Sequence, residues 1–201
     1  WLLALPRSQN FSVEATIFRT MICHRLGADI SWIIHSKCRC NKPRYIDTKG
    51  IHLLAQCPCG NQRRYTTHDV FVLNYAQMLR EAGFQTKIEP RNEFALIDGT
   101  EKRADLQVYN YKGRKACFDV SVTHSALLPQ LKGPAPSRRQ AKQREQVKYD
   151  KYKEIAKAAG MSFYPLVHEA CGGVGIQAHN LLKVCVAKIA ALRRQPVASV
   201  I

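Results

Sequence analysis

The sequence predicts an α/β protein of the α+β kind, a small mixed sheet flanked by helices, on three observations. Two strand-like runs, near 104–110 and 115–123, are separated only by Tyr111-Lys112-Gly113-Arg114. So short a connection makes an antiparallel hairpin, not a parallel crossover. A helical stretch from about Ser137 to Ala159 then parts the hairpin from another strand-like run, Met161 to Glu169. That order implies a helical crossover. Helical periodicity also brackets the strands, from Thr67 to the Ala82-Gly83 stop and from Ile176 to Arg193.

Taken in order, residues 12–27 read as an amphipathic helix, with Ser12 as N-cap, Ile17, Met21 and Cys23 on its apolar face and Gly27 at its end. Periodicity vanishes over 36–66, where Cys, Pro, Gly and Arg dominate, so that stretch needs a metal or a partner to hold it. The helix from Thr67 takes Val70, Leu73 and Leu79 as its apolar positions. Phe84 to Pro90 reads as a short strand and Asp98-Gly99 as a turn; a Pro-rich basic loop covers 125–140. In the long helix, Ala141, Val147, Ile155 and Ala158 are the apolar positions and Gly160 the stop; Gly172-Gly173-Val174-Gly175 makes the last turn. The expected division is an N-terminal helical segment, 1–35, a cysteine module, 36–66, and a main domain, 67–201.

With 31 basic and 15 acidic residues, the chain carries a formal charge of +16, concentrated at Arg63-Arg64, Lys112 to Lys115 and Lys132 to Lys157. Such an imbalance favours a polyanionic partner, most simply nucleic acid. Arg39, Lys42, Arg44, Arg63, Arg64, Arg138 and Arg139 are the candidate phosphate contacts. No run of 18 apolar residues occurs, and Trp1 to Pro6 lacks a basic start, so we expect neither membrane span nor signal peptide and read the chain as soluble and intracellular. It opens on Trp1 in mid-pattern, as a piece of a longer polypeptide would.

Two acids interrupt the hairpin's apolar strands. Alternation sets Asp105 and Gln107 opposite Leu106 and Val108, and Asp119, Ser121 and Thr123 opposite Phe118, Val120 and Val122. Asp105 and Asp119 can therefore stand side by side, an arrangement that a divalent cation or a proton relieves. The competing reading is a solvent-facing strand with unremarkable acids. Glu145, Lys148 and Tyr152, spaced three and four apart, share one face of the following helix, where a lysine could stabilise negative charge and a tyrosine orient water or touch DNA. Glu89, at a strand end, is a possible further metal ligand, and His124 follows the third strand.

Cys38, Cys40, His52 and Cys57 supply three thiolates and an imidazole, a full tetrahedral set for structural Zn²⁺, with Cys59 and His68 as competing ligands. Cys23, Cys117, Cys171 and Cys185 read as core residues. The glycines at 172–175, before a helix, could admit a phosphate or merely make a strand-to-helix turn. Trp1 and Trp32 give no sign of base stacking.

The order of elements, with Asp105 opening one strand, Asp119 in the next and basic and tyrosine residues on the following helix, resembles the PD-(D/E)XK restriction-endonuclease-like superfamily and its αβββαβα core. More closely, WLLALP, FRTMICHRLGA, KCRC, GIHLLAQC, LREAGF, EPR, RADLQV, FDVSVTH, REQVKYDKY and FYPLVHEACGGVG resemble, in that order, the C-terminal region of reverse-transcriptase polyproteins of non-long-terminal-repeat retrotransposons. The resemblance implies a nuclear DNA endonuclease that nicks target DNA to prime reverse transcription. It implies Asp105 and Asp119 as ligands of Mg²⁺ or Mn²⁺, and Lys148 and Tyr152 in place of the usual catalytic lysine. It also implies a preceding Cys-Cys-His-Cys zinc knuckle, an upstream reverse-transcriptase domain, and target DNA and element RNA as partners. Two positions depart from the signature: Ala104 stands where proline is usual, and Ser121 where the lysine is usual. The second departure motivates an alternative, a zinc-containing nucleic-acid-binding module without turnover. A structure-selective resolvase is a third reading, since fold does not fix substrate.

Overall fold

The computed structural model describes residues 14–26, 28–33, 37–40, 46–52, 57–90, 104–123, 139–170 and 172–200. Ser12, Gly27, Asp98-Gly99, His124, the 125–138 loop, Cys171 and Trp1 lie outside them, as do Lys42, Arg44 and Arg138. The chain forms two compact units, Trp1–Gly60 and Asn61–Ile201.

In the first unit, α1 spans Ala15–Leu26. Glu14 caps it, its carboxylate accepting the Thr16 and Ile17 amides at 2.9 and 3.2 Å. The expected apolar face is not a buried one, since Ile17 and Met21 are 54% and 41% exposed. Trp32 rests on this helix. Its indole donates to Thr20 Oγ1 at 3.2 Å, and the Arg19 guanidinium lies 5.2 Å from its ring.

The second unit is mixed α/β. A four-stranded sheet of order β1-β2-β3-β4 is built from β1 (Thr86–Ile88), β2 (Leu106–Tyr111), β3 (Arg114–Thr123) and β4 (Ser162–Glu169). The β2–β3 pair is the expected antiparallel hairpin, closed at Tyr111 and Arg114. Lys112 and Gly113 between them both have positive φ, 51° and 77°, as a two-residue hairpin turn matched to strand twist demands. β3 and β4 pair in parallel from Ala116–Ser162 to Thr123–Glu169, and the chain between them passes through α3 (Arg139–Ala158).

Helix α2 runs over Asn61–Glu81, so it begins six residues before Thr67 and carries Arg63 and Arg64 in its first turn, not in a cysteine loop. Its buried stripe is Val72, Tyr75, Ala76 and Leu79; of the expected apolar positions only Leu79 is buried, Val70 and Leu73 being 48% and 56% exposed. Gly83, at φ 80°, ends it where a left-handed residue is required. Together with α4 (Ile176–Arg193), this stripe covers one face of the sheet, packing Leu181, Cys185 and Ile189 with Leu106, Val108, Phe118, Val120 and Leu166. On the opposite face, Ala156 of α3, with Tyr152 and Ile155 beside it, packs against Cys117, Met161 and Phe163. Val147 of α3 is 51% exposed, and the helix instead buries the polar Gln140 and Glu145 beside Ala141. With both faces covered, the strands' second set of side chains is buried too, including Gln107, Asp119 and Ser121. The solvent-facing reading of the acids fails for that reason. Among the described residues no helix is long and apolar enough to cross a membrane.

Candidate metal centre and carboxylate site

In the first unit, the Cys38, Cys40 and Cys57 thiols and a His52 ring nitrogen all lie within 4.8 Å of one another, and all four residues are buried. Cys38 and Cys57 Sγ are 3.3 Å apart, and Cys40 Sγ is 3.5 Å from His52 Nε2. Bond lengths to tetrahedral Zn²⁺ put a sulfur–nitrogen ligand edge at about 3.5 Å and a sulfur–sulfur edge at about 3.8 Å, so the donor set fits that ion with a small opening of the Cys38–Cys57 pair. None of the described cysteines forms a disulfide. Cys59 is exposed and outside the group, and His68 belongs elsewhere. This buried Cys/His cluster could hold a metal such as zinc.

Asp47 shapes the loop that delivers His52. Its Oδ1 accepts the Lys49 and Ile51 amides at 3.1 and 2.9 Å, and its Oδ2 the His52 amide at 2.9 Å. Burial pushes its carboxyl up, but these amide bonds outweigh burial and hold it below the usual carboxylate range. Sequence reasoning missed Asp47, although an Asp five residues before a ligand, with Gly50 between, is a recognisable turn signal. Arg39 is exposed between its two cysteines.

In the second unit, Asp119, 6% exposed, sits on the α3 side of β3. Lys148 reaches it from α3, its amine 2.9 Å from Oδ1 and 2.8 Å from Oδ2. Ser121, two residues along the same strand face, donates its hydroxyl to Oδ2 at 3.4 Å. Where a lysine two residues after Asp119 is lacking, one from the neighbouring helix therefore meets the same carboxylate. Tyr152, one turn further, packs its ring on Phe163 at 5.3 Å and lies 5.5 Å from the Lys148 amine. It buttresses that lysine.

Asp105 stands at the mouth of β2, tied into the sheet by its own amide to Phe118 O (3.1 Å) and by the Glu89 amide to its carbonyl (2.8 Å). Its Oδ2 accepts the Val120 amide at 2.5 Å and meets His68 Nε2 at 3.3 Å. Burial raises the Asp105 pKa, and the charge of Asp119 adds to the rise; Val120 and His68 oppose it. Burial alone would lower the His68 pKa, but Asp69, 3.2 Å from its Nδ1, and Asp105 raise it. The structure thus brings His68 of α2 to the carboxylates. Glu89 is exposed with a left-handed backbone, φ 43°, and touches Asp105 through its amide.

Glu145 shares the helix face of Lys148 but serves another purpose. Its Oε1 accepts the Gln177 amide at 2.9 Å, capping α4. This carboxylate occupies the helix N-terminus that the sequence offered to a phosphate. Burial raises its pKa, against the backbone bonds from Gln177 and Ile176. Glu169 answers from β4, accepting the Ala141 amide of α3 at 3.0 Å. The glycine turn admits both carboxylates. A Cβ on Gly175 would lie 2.4 Å from Glu145 Oε1 and 3.0 Å from Val167 O, and one on Gly173 2.5 Å from Glu169 Oε2.

Arg139 is exposed at the start of α3, and Arg63 and Arg64 lie on the backbone of α2. No protein-family model matches the chain, and no curated protein matches it.

Proposed function

We propose that the second unit is a metal-dependent DNA endonuclease with a restriction-endonuclease-like core, and that it nicks target DNA for retrotransposon insertion. The observation that carries the chemistry is the Lys148 amine held on both oxygens of Asp119, beside a second carboxylate, Asp105, whose pKa is raised by burial and then by the charge of that neighbour. Paired acids under mutual repulsion are a donor set that fits a hard divalent cation, so Asp105 and Asp119 are the residues that would hold Mg²⁺ or Mn²⁺. When bound, such an ion polarises a phosphoryl oxygen and makes bound water more acidic. The chain's own groups do the rest. Lys148 offers positive charge to the phosphate as negative charge develops there. His68 and the Val120 amide fix the Asp105 carboxylate, and Tyr152 keeps Lys148 against the sheet.

The retrotransposon role rests on the motif resemblance, and with it a nuclear location, an upstream reverse-transcriptase domain and element RNA as a further partner. The Cys38, Cys40, His52 and Cys57 cluster is then a structural zinc module: four protein ligands leave no open position for substrate. The net charge of +16 supports DNA as the partner.

The test is nicking of supercoiled plasmid in Mg²⁺ or Mn²⁺ by the wild type, Asp119→Asn and Asp105→Asn, with circular dichroism to show that each is folded. Loss of nicking in either folded variant supports the reading. Undiminished nicking in both sinks it, and a wild type that binds DNA but never cuts is the turnover-free module suggested by Ser121.

A further inference from the structure

Successive side chains of α3 turn by about 100° round its axis, and two contacts fix which way the helix faces. Lys148 points to Asp119 on β3, whereas Glu145 points to the Gln177 amide at the start of α4, which follows the edge strand β4. The flank on the far side of Lys148 from Glu145 therefore borders β3 and its aspartate. Arg144 and Lys151, four residues before Lys148 and three after it, lie on that flank, about 40° and 60° round from it. Both are exposed, and among the described residues neither forms an ion pair. The Lys151 amine lies 5.0 Å from the Tyr152 ring, beside which Lys148 also sits, at 5.5 Å. Two acids of the helix, Asp150 and Glu154, turn further from the sheet; Asp150 accepts the Gln146 side-chain amide at 2.7 Å, and Glu154 is exposed.

The other flank is as basic, with Lys142 and Lys153 exposed on it, so charge alone does not choose between the two. Position chooses, because only Arg144 and Lys151 share the side of the amine that meets Asp119. They are seven residues apart, about 10.5 Å along the axis at about 1.5 Å per residue, with Lys148 between them. One small anion does not span that distance, whereas a polymer with a charge on every unit does. A strand that brings one phosphate to Lys148 carries its neighbouring phosphates past Arg144 and Lys151. A guanidinium fork also suits phosphate oxygens better than a point charge does. Arg139, the phosphate contact that the sequence suggested on this helix, lies about 180° round from Lys148 and takes no part.

We propose that Arg144 and Lys151 grip the phosphates on either side of the one that Lys148 meets, holding a DNA strand along this flank of α3. The choice of DNA rests on the endonuclease reading; the place of the grip is tested apart from it. The experiment measures binding of a fluorescent DNA duplex to the full chain across a salt series, without added Mg²⁺ so that none is cut. Wild type is compared with Arg144→Gln/Lys151→Gln and with Lys142→Gln/Lys153→Gln, glutamine keeping a straight stem and a similar helix propensity. Loss of two phosphate contacts should flatten the slope of log affinity against log salt by about 1.8 in the first variant. The second variant should change it by less than half as much, and the charge-keeping Arg144→Lys/Lys151→Arg should retain the wild-type slope. An unchanged slope in Arg144→Gln/Lys151→Gln, equal flattening in both glutamine variants, or a wild type that binds no DNA overturns the grip. Unchanged DNA binding with lost binding of an oligoglutamate peptide also overturns it, assigning the flank to an acidic protein. If the wild type binds DNA but never nicks it, the endonuclease reading fails while the slopes still decide the grip.

Discussion

At the scale of single residues, the Glu145 carboxylate and the space at Gly175 form one unit, because the acid can cap α4 only where no Cβ intrudes. Glu145→Ala should cost about 1 kcal/mol, the usual loss for a removed cap, whereas Glu145→Gln keeps an acceptor and should cost less. Gly175→Ala should cost more than Glu145→Ala, since the added carbon also presses on Val167 O. The double variant Glu145→Ala/Gly175→Ala should cost less than the sum of the two single costs, because part of the Gly175→Ala clash is with the carboxylate that Glu145→Ala removes. Urea unfolding of the four variants and the wild type checks all three statements. This cap was not legible in the sequence. Glu145 lies 32 residues from Gln177, and only the folded sheet brings α3 to the turn before α4. Asp105 and Asp119 could be picked out, since apolar strands make a buried acid conspicuous; Lys148, one of several lysines in α3, was singled out by the motif resemblance alone. His68 could not, because its partner lies 37 residues away and a histidine near cysteines reads first as a metal ligand.

Among the elements, the hairpin's pairing and turn were legible, Lys112-Gly113 supplying the turn's two left-handed residues, but the register shift between Val108 and Tyr111, with Asn110 at φ 57°, was not. Helix faces were less so. Val70 and Leu73 look apolar at helical spacing, yet the stripe that packs on the sheet uses Tyr75 and Ala76, residues whose hydropathy does not declare a side. In α3 the buried face holds Gln140 and Glu145 beside the expected Ala141 and an unexpected Ala156, so the hydrophobic pattern marks it only in part. The cysteine loop was legible through ligand chemistry alone. We predict one bound Zn²⁺ per chain, lost on substitution of Cys38, Cys40, His52 or Cys57 and retained in Cys59→Ser. Metal analysis of purified protein measures this, and chelation should abolish circular-dichroism signal from the first unit while leaving the strands of the second. Equal zinc loss in Cys59→Ser would replace one of the four ligands.

For the second unit as a whole, covering both sheet faces explains why titratable groups are buried at all. His168 of β4 shares a hydrogen bond of 2.7 Å with the Tyr75 hydroxyl of α2, and its ring lies tilted against that of Phe71 with centroids 4.4 Å apart. Burial lowers its pKa below the ordinary 6.5, so the folded state favours neutral imidazole. The unfolded chain binds the extra proton first, so this stabilisation is complete above pH 6.5 and is lost as pH falls from there through the folded value. The His168 contribution should therefore decline on the acid side of neutrality, above the carboxylate range, against the opposite contribution of His68, and His168→Asn should make stability fall less as pH is lowered. Urea midpoints between about pH 7.5 and 5 measure it; equal slopes for both proteins would contradict the assignment.

The central claim is that the Lys148–Asp119 pair cuts DNA, and Lys148→Met tests it most directly. Removing one partner of a pair in which Lys148 and Asp119 side chains are 16% and 8% exposed should cost about 3 kcal/mol, so the assay is run below the variant's own unfolding temperature. With DNA affinity matched to the wild type, single-turnover nicking should fall by about a hundredfold or more, the scale on which one stabilising donor acts. Nicking by folded Lys148→Met at the wild-type rate would contradict the account.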